Sequence, residues 1–428
     1  MQAINEEFDA IVVGTGPGGA TVAKELALRR KKVLILEWGS DAPLKGTNIQ
    51  AGKIGGIPGK GFLLTHNFLG VFRGIASGGS STLFYATAFD PPVELFNKYG
   101  IDISREIDEI REEYPVGVLS DDLIGPMAKR LMESGRDLGY DWNKLQKFIY
   151  QDKCRTDCWR CNYGCPYGAK WSGRMSVEDA ILSNASLITE AKVKKVLIEN
   201  NKAVGVEYRK GGTAYKVMAP LVIISAGGIG SPVILNASGI KNTGKDFFFD
   251  PLITVMGAAK DIKGGKEIPM AAGIHMEEEG YLMTDMTIPR TLYMGFAAEV
   301  FRLHKLFSHS KILTIMIKAK DELGGSITSN GGVRKRLSKN DLGKLQKGQE
   351  RAEKILKNAG AKGIFKSWYL ASHPGGTVKI NEIVNSDLKS EVDNLYVCDC
   401  SVIPESWGLP PTFSLIALGK RLAKHLAD

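Results

Sequence analysis

The chain is bounded first by what it lacks. In its 428 residues no apolar run approaches the ~18 to 20 residues that a membrane span needs. A spanning role is not expected, and peripheral association with a surface stays open. Residues 1–7 are short and polar and a strand pattern follows at once. No secretory leader is expected, and the expected location is cytoplasmic. Cysteine is scarce: there are six, four of them between positions 154 and 165. That clustering does not read as the disulfide framework of a secreted domain. Nucleic-acid motifs are missing, and the charge excess is modest, 56 Lys and Arg against 47 Asp and Glu, net +9. It is spread along the chain, with one local cluster at Val333, Arg334, Lys335 and Arg336. Such a charge suits an acidic protein partner or an anionic surface, and no nucleic acid.

What is present is organised around residues 8–37. Phe8-Asp9-Ala10-Ile11-Val12-Val13 reads as a short buried strand. Gly14-Thr15-Gly16-Pro17-Gly18-Gly19 follows, and Ala20, Ala23, Leu26, Ala27 and Arg30 recur at helical spacing. A second strand, Val33-Leu34-Ile35-Leu36, ends in Glu37, 23 residues after Gly14. Strand, Gly-x-Gly-x-x-Gly, helix, strand and acid, in this order, are what a dinucleotide-binding βαβ unit requires. Gly14 permits the tight turn, Gly16 lets backbone approach a pyrophosphate, and Gly19 lets the helix pack close to the strand. The helix N-terminus offers free N–H groups to phosphates. Glu37 can accept from a ribose 2′-hydroxyl, which argues against a 2′-phosphate and hence against NADP. This stretch alone does not separate FAD from NAD.

The chain is too long for one simple core, so two intimately joined domains are expected. Gly78, Gly79, Ser80 and Ser81 suit a turn beside a flat ligand. Residues 102–140 read as outer helices. Residues 186–208 read as a β-hairpin turning at Asn200 and Asn201. Residues 221–226 read as a buried strand broken by a second glycine turn. Residues 250–368 differ in texture and look like a second domain inserted into the first. Their apolar residues 292–307 either line a hydrophobic pocket or form that domain's core. After His373-Pro374-Gly375-Gly376-Thr377 the chain returns to cofactor-type sequence, with Asp399 in a turn and a helix opening near Thr412.

Four cysteines stand as C-x3-C-x2-C-x3-C-P: Cys154, Cys158, Cys161, Cys165 and Pro166. The C-x2-C-x3-C-P ending resembles part of the run that holds [4Fe–4S] clusters in bacterial ferredoxins. A structural zinc also takes four cysteines, though more often as two separated C-x2-C knuckles. Two disulfides are the third reading, less suited to a cytoplasmic chain.

With the turn at residues 14–19, Glu37, the turn at 78–81, the Ser225 to Gly239 run, the His373 to Thr377 segment and the Asp399 to Pro404 segment, the sequence resembles the glucose–methanol–choline (GMC) flavin oxidoreductases. The resemblance covers both ends of the chain and little of its middle. It implies an α/β fold: a Rossmann-like FAD-binding domain of the p-hydroxybenzoate-hydroxylase type and an α+β substrate domain on an antiparallel sheet. The FAD-binding part would be 1–250 and 370–428, with the cysteine loop at 151–170, and the substrate part 251–369. The resemblance places the pyrophosphate at Gly14, Gly16 and Gly19, and the adenosine ribose at Glu37. Val193 would lie beside the adenine, with Gly78, Gly79 and Ser80 along the pyrophosphate and isoalloxazine. Ala226 and Asp399 would contact the cofactor, and the helix at Pro411 and Thr412 would aim its positive end at the flavin N1/O2 edge. His373 would be the active-site base. Alcohol oxidation needs one, because a proton leaves oxygen as a hydride leaves carbon.

Three departures stand out. Pro410 occupies the place of the usual second His or Asn. The Asn usual after the Gly-Gly-Ser-Ser turn is replaced at about Phe84. The substrate part is short. Long-chain alcohol oxidase relatives carry a segment similar to Gly164-Cys165-Pro166-Tyr167-Gly168-Ala169-Lys170, here joined to four cysteines. The expected function is an FAD-dependent dehydrogenase of a hydrophobic alcohol, passing electrons through a [4Fe–4S] cluster to a one-electron carrier such as ferredoxin. The alternatives are a reductase of a ketone or activated alkene running the same relay in reverse, and an electron-transfer subunit without a substrate site.

Overall fold

The computed structural model describes residues 2–3, 6–263 and 265–427; residues 1, 4, 5, 264 and 428, which the expected domain ranges include, lie outside them. The apolar run of residues 10–13 is a strand with all four residues buried. It is central in a five-stranded sheet ordered Leu395–Val397, Val222–Ile224, Ala10–Val13, Val33–Leu36, Ser186–Ile188. Every pairing in this sheet is parallel. A parallel sheet is covered on both faces, which is why its central strands read as unbroken apolar runs rather than alternating ones. The Pro17–Leu28 helix packs between the Gly173–Leu182 and Thr412–Ala427 helices. The Gly227–Ala237 helix lies against the Lys192–Glu199 strand.

That strand turns through Asn200 and Asn201, at φ 48° and 58°, into Lys202–Lys210, and Thr213–Met218 extends the pair. Residues 186–188 were expected in the same hairpin. They join the parallel sheet instead, because the backbone reverses at Glu190, φ 57°, before the hairpin starts.

The second large sheet has nine strands. Its centre is Pro251–Ala258, Ile312–Ala319, Tyr281–Asp285 and Ala272–Met276, all antiparallel. Phe62–Leu64, Gly70–Phe72, Asn143–Lys144 and Leu370–Ala371 extend it from segments outside 251–369. The Lys339–Asn358 helix starts with a capping box between Ser338 and Asp341 and buries Leu345, Ala352, Ile355 and Leu356 over one face of the sheet. The expected outer helices are present as Ser104–Glu113 and Pro126–Asp137. Residues 292–307 are neither purely pocket nor purely core. The Arg290–Glu299 helix buries Tyr293, Phe296 and Ala297, whereas Phe301, Leu303 and Phe307 face solvent. Among the described residues no helix is long and apolar enough to cross a membrane.

Candidate active site

Parallel strands end at one edge, and loops leaving that edge enclose a ligand crevice. Here three glycine- or acid-bearing turns meet there. Gly14 takes φ 101°, and a Cβ on it would stand 2.2 Å from the Ser225 carbonyl oxygen, so only glycine fits. Gly16 meets nothing within 4 Å and leaves open space beside its backbone. A Cβ on Gly19 would lie 2.4 Å from the Gly14 oxygen, which is the close helix–strand contact expected of it. The turn with Gly78 and Gly79, at φ 92° and 56°, closes over this one: a Cβ on Gly79 would come within 2.9 Å of the Gly16 Cα.

Thr15 links the pieces. Its hydroxyl donates to Glu37 Oε2 at 2.5 Å and accepts from the Gly78 N–H at 3.0 Å. Glu37 is buried, and burial raises its carboxyl above the usual range against the bonds from Thr15 and the Gly39 N–H. Ser80 is exposed, and its hydroxyl accepts from the Gly74 N–H. Val193 is buried in the hairpin, paired with Tyr208.

Asp399 sits at the end of the Leu395–Val397 strand. Its Oδ2 accepts from the Gly227 N–H at 2.8 Å and from Ser231 at 2.5 Å, and its Oδ1 accepts from the Ser401 N–H at 2.7 Å. Oδ2 thus fixes the Asp399 turn to the start of the Gly227–Ala237 helix, whose N-cap is Ala226, while Oδ1 closes the turn itself. Pro411 and Thr412 are buried at the head of the 16-residue C-terminal helix.

His373 lies in a left-handed backbone conformation, φ 52°. Its Nδ1 meets Asp250 Oδ2 at 3.1 Å, Ser372 Oγ at 3.3 Å and Lys318 Nζ at 3.4 Å. Lys318 and Asp250 are themselves paired at 3.2 Å, each side chain 1% exposed, whereas His373 is 27% exposed. Ser406 donates to Asp250 Oδ1 at 3.4 Å. Every hydrogen-bond partner of His373 among the described residues therefore sits at Nδ1 or the backbone, and Nε2 stays free for a ligand. Burial lowers the imidazole below its ordinary value, the Lys318 charge lowers it further, and Asp250 opposes both. An imidazole with one nitrogen held by a carboxylate and the other free is arranged as a general base.

The cysteine loop runs from Gln151–Lys153 through a second short turn, Arg160–Tyr163. All four cysteines carry free thiols. Cys154 and Cys161 pack in an apolar cluster with Ala86, Leu119, Ile149 and Ile268. Burial pushes the Cys154 thiol up to about 11 and the Cys161 thiol up to about 12. Lys170 anchors the loop. Its buried ammonium donates to the carbonyls of Cys161 (2.7 Å), Thr82 (2.7 Å), Ser81 (3.1 Å) and Phe84 (3.1 Å). Lys147, also buried, donates to the carbonyls of Tyr85, Pro269 and Met270. The cysteine loop thereby lies against the turn at residues 78–82. The spacing leads us to expect a metal shell; among the described residues no group of three or more His, Cys, Asp or Glu is placed to hold a metal, although all four thiols act on one another electrostatically. The donor set fits a four-thiolate group in kind and number, not in its present arrangement.

The N-terminal family model of the GMC oxidoreductases matches residues 8–254, and the C-terminal one residues 325–419. The chain belongs to the GMC oxidoreductase family. An uncharacterised protein of Methanocaldococcus jannaschii is 30% identical over 426 residues, 98% of this chain and 100% of that protein. A long-chain-alcohol oxidase of Arabidopsis thaliana is 21% identical over 524 residues, covering 99% of this chain and 69% of the relative. The crystal structure of pyridoxine 4-oxidase from Mesorbium loti has the same fold, with a TM-score of 0.74 at 15% identity, covering 98% of this chain and 99% of that one. Formate oxidase of Aspergillus oryzae also shares it, at a TM-score of 0.71 and 16% identity.

This GMC oxidoreductase is an FAD-dependent enzyme of a family acting on CH–OH donors, with the Rossmann-like and substrate-domain architecture expected. Its crevice fits FAD on its own terms. Backbone is bare at Gly16, the buried Glu37 carboxyl stands at the end of its strand, and the Pro17–Leu28 and Gly227–Ala237 helices start directly after strands of the parallel sheet, with their N-termini at its edge. Sequence reasoning missed Thr15, Asp250, Lys318 and Lys170. Lys318 carries a readable clue: it is the one charge in the apolar strand Ile312–Ala319, where every residue is buried. A charge in such a run needs a buried partner.

Proposed function

We propose that this GMC oxidoreductase is a dehydrogenase of a hydrophobic alcohol, with His373 as base, whose cysteine loop holds a [4Fe–4S] cluster serving a one-electron carrier such as ferredoxin. Lys170 carries the reading. One ammonium gathers carbonyls from the cysteine loop and from the turn at residues 78–82, so the loop and the flavin-side turn form one unit. When bound, FAD supplies the hydride acceptor, and a four-thiolate cluster on Cys154, Cys158, Cys161 and Cys165 supplies one-electron exchange.

The chain's own residues divide the remaining work. Residues 14–19 and the Pro17–Leu28 helix bind phosphate, Glu37 the ribose, Val193 the adenine side, and Ala226 and Asp399 the ribityl side. The helix opening at Thr412 offers its positive end to the isoalloxazine. His373 Nε2 accepts the hydroxyl proton while Asp250 holds Nδ1–H and fixes the tautomer. Lys318 and Asp250 stand in for the missing second residue at Pro410. An apolar cluster that includes Tyr293, Phe296, Met316 and Leu409 suits an aliphatic substrate. Residues 251–369 supply most of that lining, and 1–250 with 370–428 hold the cofactor. A cytoplasmic setting with an acidic carrier suits the net charge of +9.

Anaerobic purification with iron, sulfide, zinc and flavin measured on one sample tests this. About four iron and four sulfide per FAD, lost together with the visible cluster absorption on Cys158→Ala, are expected. Zinc, or no metal, would make the loop structural and leave an ordinary flavin alcohol enzyme. Flavin bleached by reduced ferredoxin but by no alcohol would turn the enzyme into a reductase of a ketone or activated alkene. Unchanged electron transfer in His373→Gln, with no substrate found, would make it an electron-transfer subunit.

A further inference from the structure

Beyond the Arg290–Glu299 helix the chain does something unusual for a surface. Phe301 is 88% exposed, Phe307 83% and Leu303 58%. Two further aromatic side chains belong to the same face. Trp368 donates its backbone N–H to Glu299 Oε1 at 2.8 Å and its indole N–H to the Phe68 carbonyl at 3.1 Å. Trp368 and Phe68 are themselves 48% and 73% exposed. Single exposed apolar residues are ordinary, but four aromatic groups on one face mark a surface meant to be covered.

The segment at the tip of this face carries charge of one sign. From Val300 to Lys320 the sequence contains no Asp or Glu, while Arg302, Lys305, Lys311, Lys318 and Lys320 fall within it, Lys318 being buried. Arg302, His304 and Lys311 are exposed. The Lys305 ammonium lies against Gly363, beside exposed Lys362. Glu299, at the edge, has its carboxylate engaged by Trp368. Apolar tips between cations, with acids absent, are the make-up of a segment that seats in the headgroup region of an anionic bilayer.

We propose that residues 301–307 dock this protein on an anionic lipid surface. Phe301 and Phe307 enter the headgroup–acyl boundary, and Arg302, Lys305 and Lys311 meet lipid phosphates. Beneath the tip, one apolar cluster joins Leu306 through Tyr293, Phe296 and Met316 to Leu409, the residue before Pro410. The docked face is thereby backed by packed apolar side chains that reach towards Pro410 and suit a membrane-dissolved alcohol. That last link rests on the alcohol reading of the site; docking does not.

The test is flotation of the flavin-loaded protein with phosphatidylglycerol vesicles and with phosphatidylcholine vesicles, without substrate or turnover. Salt-sensitive binding to the anionic vesicles is expected. Phe301→Ser with Phe307→Ser should lose it while keeping flavin content. Arg302→Gln, Lys305→Gln and Lys311→Gln together should weaken partitioning on the order of a hundredfold. Should these variants misfold, the native chain still reports: brominated lipid should quench emission that Trp368→Phe removes. No flotation, equal flotation of the Phe variant, or indifference to lipid charge would each overturn the proposal. So would concentration-dependent self-association through the same Phe residues without lipid binding. Absence of alcohol oxidation would overturn the alcohol reading and leave the docking result standing.

Discussion

Asp250→Asn tests the His373 arrangement most sharply. The carboxylate stands 3.1 Å from His373 Nδ1 and the Lys318 ammonium 3.4 Å from it. At an effective dielectric near 20, each charge acts on the imidazolium formed during proton transfer with about 5 kcal/mol, in opposite directions. In the native site the two nearly cancel. Asparagine removes the attraction and leaves the repulsion, an upper bound of about 5 kcal/mol, or a factor of about 10³ to 10⁴ in rate. Proton loss from Lys318 relieves part of this, so a fall of about 10² to 10⁴ in anaerobic flavin reduction by alcohol is expected. The pH dependence gives a second readout. His373 accepts a proton only when neutral, and its folded value lies below 6.5. Rate therefore rises with pH through that lowered value and is level above it. Asp250→Asn should move the limb further to acid, and Lys318→Met should move it back towards the ordinary value. Titration of labelled histidine by NMR, with the resonance assigned through His373→Gln, reads the same two shifts without any substrate. Unmoved titration in both variants would refute the reasoning, as would native flavin reduction in Asp250→Asn.

Gly79→Ala puts a Cβ 2.9 Å from the Gly16 Cα at φ 56°, so the purified variant should carry little FAD by its absorbance ratio. Lys170→Met leaves four carbonyls without their donor and should cost about 3 kcal/mol or more in urea unfolding, with faster thiol labelling of Cys161. Glu267 is buried against the Met127 and Ala128 N–H groups, and burial pushes its carboxyl up to about 7. Its folded value lies above its unfolded one, so the stability it lends is present below about pH 4.3 and is lost as pH rises towards 7. Glu267→Gln should flatten that slope by up to about 3 kcal/mol in chemical denaturation across this window.

The glycine turns and the helices were legible because their causes are local. The Asn200 and Asn201 turn depends on residues a few positions apart. Residues 186–188 were misjudged because a short strand-forming segment does not say which sheet receives it. Residues 292–307 were legible in part: Tyr293, Phe296 and Ala297 join the core, one of the two expected readings, but an apolar run does not say which of its members find neighbours. The cysteine spacing gave the donor set but not its arrangement, since burial and the Lys170 anchor decide where each thiol goes.

By itself, then, the sequence determined the glycine turn at residues 14–19, the acid ending the second strand and the choice of His373 as candidate base. Backbone conformation at Gly14 and strand burial at residues 10–13 are properties of short segments. Only the tertiary structure brought Asp250 to His373 across 123 positions and Lys318 to it across 55. Only it left Phe301 and Phe307 uncovered. Pairing of buried charges and exposure of apolar groups depend on what the rest of the chain places around them, and no local pattern carries that information.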